Sequence, residues 1–154
     1  MSEQTLLEQF LEPYWEQFDF YGSEQLYFES LAALPYPADI LLLCTVTVNE
    51  VENGGFAQYF FNATGIVAPE AVDAFNKVGL PEVASIVTEA MSVLATDYPR
   101  DRLARLELLP DFPKQPAFDA LNKKFYRTVG SDFGPNPNGW HAKAGSFLTA
   151  HGLN

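Results

Sequence analysis

Residues 47–62, TVNEVENGGFAQYFFN, set two acids, Glu50 and Glu52, ahead of a double glycine and a dense aromatic run. The reading of this stretch fixes the fold, because the apolar segment leading into it, ILLLCTVTV over residues 40–48, passes for a buried strand as easily as for a helix. β-branching at its end favours the strand. A strand needs a partner, however, and no second convincing strand occurs in the chain, so a helix is expected. Pro37 suits its first turn, and Asn53-Gly54-Gly55 stops it after about Glu52. Phe56, Tyr59 and Phe60 then drive the following helix into the core.

Outward from this stretch the chain reads as short helices punctuated by Pro and Gly. Thr5-Leu-Leu-Glu8 has the form of a capping box, and Leu7, Phe10, Leu11, Tyr14 and Phe18 follow at helical spacing. Pro13 must kink or split that helix. Ser23 can cap a second helix through Leu34. Pro69 opens a helix to Val78 that Gly79 ends; Pro81 opens another, in which Val83, Ile86, Val87, Ala90, Met91 and Leu94 share a face. Residues 100–109, 116–129 and 138–151 complete the set. The expectation is an all-α, single-domain bundle of about eight or nine short helices spanning residues 1–154, without internal repeats or a long linker.

Charge is distributed unevenly. The first 76 residues hold 12 Asp and Glu and no Lys or Arg, whereas the remainder holds 8 acids and 9 bases, so the two parts carry −12 and +1 and sum to −11. Such an asymmetry points to an electrostatic partner. Direct binding to nucleic acid is not expected, since that rests on Lys and Arg neutralising phosphates. The single cysteine, Cys44, cannot form an intrachain disulfide. With no basic leader before an apolar segment and no apolar run of 18 residues, a cytoplasmic, non-membrane protein is expected.

Catalytic and metal-binding patterns are sparse. His141 and His151 are ten apart and belong to no zinc spacing, and Cys44 has no partner cysteine, so neither a metal nor a cofactor is expected. Asn136-Pro137-Asn138-Gly139 resembles the middle of a calcium loop, but the positions that should hold its first and last carboxylates are Gly134 and Gly145. No nucleophile elbow exists, and Gly54-Gly55 lacks the Lys of a phosphate loop. Glu50 and Glu52, two apart on a helix, point to different faces and make a poor acid and base pair. Catalysis is therefore not expected.

The acids themselves form a pattern. Glu8, Glu12 and Glu16 lie at i, i+4 and i+8, a stripe of like charges that destabilises an isolated helix by roughly 0.2–0.5 kcal/mol per pair. With Asp19, Glu24, Glu29, Asp39, Glu50 and Glu52 they are the candidate contacts of an acidic surface made for a basic partner. Pro13 interrupts the stripe.

The segment VNEVENGGFAQYFFNATG, preceded by an apolar helix and followed by EAVDAFNKVG, resembles the bacterial acidic DNA-mimic protein family, a group that also carries a domain-of-unknown-function label. The likeness covers residues 23–126, and its most specific part is Asn53, Gly54, Gly55, Phe56, Gln58, Tyr59, Phe60 and Asn62. The resemblance implies an all-helical protein, a dimer in the characterised case, whose acidic surface occupies the DNA-binding face of a helix-turn-helix regulator. The motif is largely apolar, as a fold determinant would be. The alternative makes Glu50, Gln58 and Asn62, with His141, ligand contacts of an enzyme or small-molecule binder in a pocket beside the glycines.

Overall fold

The computed structural model describes residues 2–130 and 137–151. Among the described residues eight α-helices follow one another: α1 (Glu3–Leu11), α2 (Glu24–Ala33), α3 (Ala38–Phe61), α4 (Ala68–Val78), α5 (Pro81–Leu94), α6 (Arg102–Glu107), α7 (Asp119–Val129) and α8 (Trp140–Ala150). Short 3-10 turns occupy Glu12–Gln17, Ala63–Val67 and Pro116–Phe118, and no strand occurs among the described residues. One core cluster runs through the molecule.

The ambiguous segment is helical, and its surroundings explain why. Ile40 to Cys44, Val46, Thr47, Val48 and Val51 are all buried, so α3 is apolar on every side rather than along one stripe. Such a helix belongs at the centre of a bundle, and α1, α4, α6 and α7 pack around it. Burial against these neighbours outweighs the modest β preference of its valines and threonines.

At the double glycine α3 bends. Gly54 (φ −152°) and Gly55 (φ +74°) leave helical geometry, so two helical arms, residues 38–53 and 56–61, meet end to end. The expected stop at Asn53-Gly54-Gly55 is thus a joint without an intervening loop. A Cβ on Gly55 would lie 2.6 Å from Asn122 Nδ2 of α7, and one on Gly54 would lie 2.1 Å from Gln58 Oε1. Asn122 comes this close because its Oδ1 accepts the Phe56 backbone N–H at 2.9 Å, capping the second arm from across the bundle. Beyond the cap, Phe56 meets Phe125 edge-on at 5.5 Å, Phe60 meets Phe118 at 5.7 Å, and the buried Tyr59 hydroxyl is bonded to Thr47 Oγ1 at 2.7 Å.

Other boundaries follow cap chemistry. Gly79 is left-handed (φ +92°), and Leu80 N–H reaches Phe75 O at 2.8 Å, closing α4 before Pro81 opens α5. Ser23 caps α2 through Leu26 N at 3.2 Å. The capping box expected at Thr5 is not the start of α1: the helix begins a turn earlier, where Ser2 Oγ accepts Thr5 N–H at 3.1 Å. The earlier start lengthens the helix that buries Leu7 and Leu11. Pro13 does split the segment, and residues 12–17 continue as a 3-10 turn, so Glu8 lies on an α-helix while Glu12 and Glu16 do not. Asp101 caps α6, which is therefore shorter than the expected 100–109. The expected 116–129 helix opens with a 3-10 turn, and α8 starts at Trp140 rather than Asn138. Asn138 lies in a turn, whereas Gly134 and Asn136 lie outside the described residues.

Gly55→Ala is expected to lower stability by roughly 1–3 kcal/mol, from the strained φ and the clash with Asn122, and Asn122→Ala by about 0.5–2 kcal/mol through loss of the cap. Urea denaturation followed by circular dichroism measures both.

Candidate functional site

The polar residues of the double-glycine motif converge on one carboxylate. Glu50 Oε2 accepts from Gln58 Nε2 at 2.9 Å and from Asn62 Nδ2 at 3.0 Å, and Asn53 Nδ2 donates to Gln58 Oε1 at 3.1 Å. Glu50 belongs to the first arm of α3 and Gln58 to the second, with Asn62 just past its end. The cluster therefore laces the two arms across the joint, with all four side chains at or near the surface. His141 sits elsewhere: it lines a groove with Thr45 and Asn49 that Glu50, Gln58 and Asn62 do not line.

The acids take several environments. Glu8, Glu12, Glu16 and Glu29 are exposed; Gln4 donates to Glu8 at 3.0 Å and Gln25 to Glu29 at 2.9 Å. Glu8 and Glu12 line the groove that contains His141. Asp19 is local structure, its Oδ1 accepting from Tyr21 N (3.0 Å) and Gly22 N (2.9 Å). Asp39 stands in the first turn of α3 and accepts from Ile40 N at 2.8 Å, a favourable place for a carboxylate. Glu52 is half-buried on α3.

The separation of charge along the chain is breached in space by Arg100. Arg100 folds back from the second half onto Glu70 in a two-pronged pair (Nη1 to Oε1 2.7 Å, Nη2 to Oε2 2.6 Å) and approaches Glu24 at 3.8 Å while lying over the Phe28 ring at 4.8 Å. Tyr27 hydroxyl donates to Glu70 Oε1, the oxygen that Arg100 Nη1 also reaches, at 2.7 Å. The hydrogen bonds to Glu70 hold the Arg100 pKa above its usual value. Glu24 is thereby an ion-pair partner within the fold as well as a candidate contact.

Arg105 is wholly buried and, among the described residues, bonds to backbone carbonyls: Phe60 O (2.9 Å), Asn62 O (3.0 Å), Pro99 O (3.3 Å) and Arg100 O. Arg102 Nε adds Phe61 O at 2.9 Å. These two side chains occupy the orphan carbonyls at the end of α3, where a helix favours positive charge. Burial lowers the Arg105 pKa. Gly65 leaves room for this guanidinium, since a Cβ there would lie 2.9 Å from Arg105 Nε. Neither arginine, nor Glu70, nor Asn122 carries a local sequence signal, because each acts on a segment 30 or more residues away. The buried Cys44 thiol is pushed well above its ordinary range by burial, which suits packing rather than nucleophilic chemistry.

The model of the DMP19-like protein family matches residues 32–151. The chain belongs to the DMP19-like protein family. This is a DNA-mimic family. The match begins within α2 and runs through α8, so DMP19-like character starts later than residue 23 and extends well past 126. Neither a curated protein nor a solved structure gives a significant match. Among the described residues, no helix is long and apolar enough to cross a membrane.

Two measurements check the chemistry of this region. Glu50→Ala is expected to cost about 1–3 kcal/mol by unpairing Gln58 and Asn62, whereas Glu50→Gln keeps a carbonyl acceptor and is expected to cost less than about 1 kcal/mol in the same denaturation series. Burial also raises the pKa of Tyr27, Tyr59 and Tyr98 above the ordinary 10.0. The folded state keeps protons that the unfolded chain releases, so stability is expected to fall as pH rises above about 10, by about 1.4 kcal/mol per pH unit for each tyrosine. Denaturation midpoints taken between about pH 9 and pH 11 report that slope.

Proposed function

We propose that the chain is a non-catalytic acidic binding protein that presents its carboxylates to a basic DNA-binding regulator of the helix-turn-helix type and so blocks that regulator's contact with DNA. One observation carries the reading: Glu8, Glu12, Glu16 and Glu29 are exposed and have no cation within ion-pair distance among the described residues, while Arg100, Arg102 and Arg105 are engaged by other groups of the fold. Membership of a DNA-mimic family supports it. Asp19, Asp39, Glu24, Glu50 and Glu52 join the surface as peripheral contributors, a cytoplasmic location fits such a partner, and a homodimer would double the acidic area. In this reading Asn53, Gly54, Gly55, Phe56, Gln58, Tyr59, Phe60 and Asn62 are the family's architectural signature. The enzyme or small-molecule alternative at Glu50, Gln58 and Asn62 is not favoured, because these groups already bond to one another across the joint.

Exposed carboxylates attract at long range and are screened by salt. Association with candidate helix-turn-helix regulators, measured by calorimetry over a salt series, is therefore expected to weaken steeply as salt rises, and reversal of Glu8, Glu12 and Glu16 to Lys to weaken it about tenfold or more. Binding that ignores salt, or that survives the triple reversal, refutes the proposal.

A further inference from the structure

Both tryptophans of the chain, Trp15 and Trp140, line one open groove of about 570 Å3 between α1, the 3-10 turn after it, α3 and the start of α8. That volume lies in the range of about 300–1,000 Å3 typical of ligand clefts. Leu11 and Trp140 are buried and make its base, Trp15 is half-buried, and Glu8, Glu12 and Asn49 are exposed along its edges.

The combination is selective for one kind of guest. An indole attracts cations more strongly than other rings do, and of the two here Trp15 keeps the accessible surface while Trp140 packs beneath; a carboxylate beside it adds direct charge pairing. An apolar base accepts the methylene stem of a long basic side chain while the charged head stays at the mouth. An anion is repelled by Glu8 and Glu12, and a purely apolar guest strips water from them without replacing it. The start of α8 carries the positive end of a helix dipole, so the charge seat belongs to the α1 edge.

We propose that this groove is the seat of a single guanidinium or ammonium group on an alkyl stem, delivered as an arginine or lysine side chain by the basic protein partner. The proposal rests on the acidic-binding reading and narrows it to a place: within a diffuse acidic surface, one inserted side chain supplies the fixed point of the contact. Arginine is the preferred guest, since its planar head both stacks on an indole and bridges carboxylates.

The test uses the whole chain and a capped tripeptide, acetyl-Gly-Arg-Gly-amide, with the citrulline analogue as the uncharged control. The indole N–H resonances are followed by NMR, since both tryptophans line the groove. The arginine peptide is expected to shift them saturably, the citrulline peptide to bind at least about tenfold more weakly, and the Glu8→Gln/Glu12→Gln variant to lose the response while Glu89→Gln, an exposed acid of α5 away from the groove, retains it. Equal binding of the two peptides, no saturable shift, or equal loss in Glu89→Gln overturns the groove. The peptide arm is independent of any regulator. Its failure beside intact, salt-dependent regulator binding removes the groove alone, and its success without regulator binding removes the wider reading and leaves the groove.

Discussion

Buried peptide groups must be hydrogen-bonded, and in this molecule that requirement is most acute at the centre, where α3 is broken at two glycines and then ends inside the protein. A break in a buried helix exposes N–H groups on one side and carbonyls at the far end. Both sets are answered from distant parts of the chain: Asn122 of α7 takes the Phe56 N–H, and Arg105 and Arg102 take the carbonyls of Phe60, Phe61 and Asn62. Gly55 is needed because Asn122 approaches too closely for a side chain, and Gly54 because Gln58 does. The aromatic second arm, the positions of α6 and α7 and the Glu50 lacing all follow from this one joint.

The outer helices answer to a different rule. Residues 2–33 bury Leu7, Leu11, Phe18 and Tyr27 and leave Glu8, Glu12, Glu16 and Glu29 outward. A strong electrostatic tie between them and the body of the protein is the Tyr27, Glu70 and Arg100 cluster, which fixes α2 against α4. An acidic outer layer is thus carried on a body that holds all the Lys and Arg of the chain, and the family match, which begins at residue 32, covers that body.

Much of the architecture was legible because proline and glycine act locally. Pro69, Gly79 and Pro81 set the limits of α4 and α5 through φ preferences that need no tertiary knowledge. The helical state of residues 40–48 was reached by elimination, since periodicity is silent for a segment buried all round. What escaped was long-range: Asn122 as a cap, Arg105 as a terminator and Arg100 as a counter-ion are ordinary residues until the fold brings them to their targets. The start of α1 was misplaced for a subtler reason, as Ser2 and Thr5 are both competent caps and it is Ser2 that takes the Thr5 N–H. At the candidate site, the identities of the acids were legible, but which of them line the groove with Trp15 and Trp140 depended on the crossing of α1 and α8.

Arg105 has one more implication. A guanidinium does not give up its proton in a protein at any pH met in a cell, so the clamp on the end of α3 has no acid-operated or base-operated release. Where a histidine in that place would make the joint a sensor, an arginine makes it a permanent fastening. The end of the central helix is therefore fastened in the same way across that whole range of acidity.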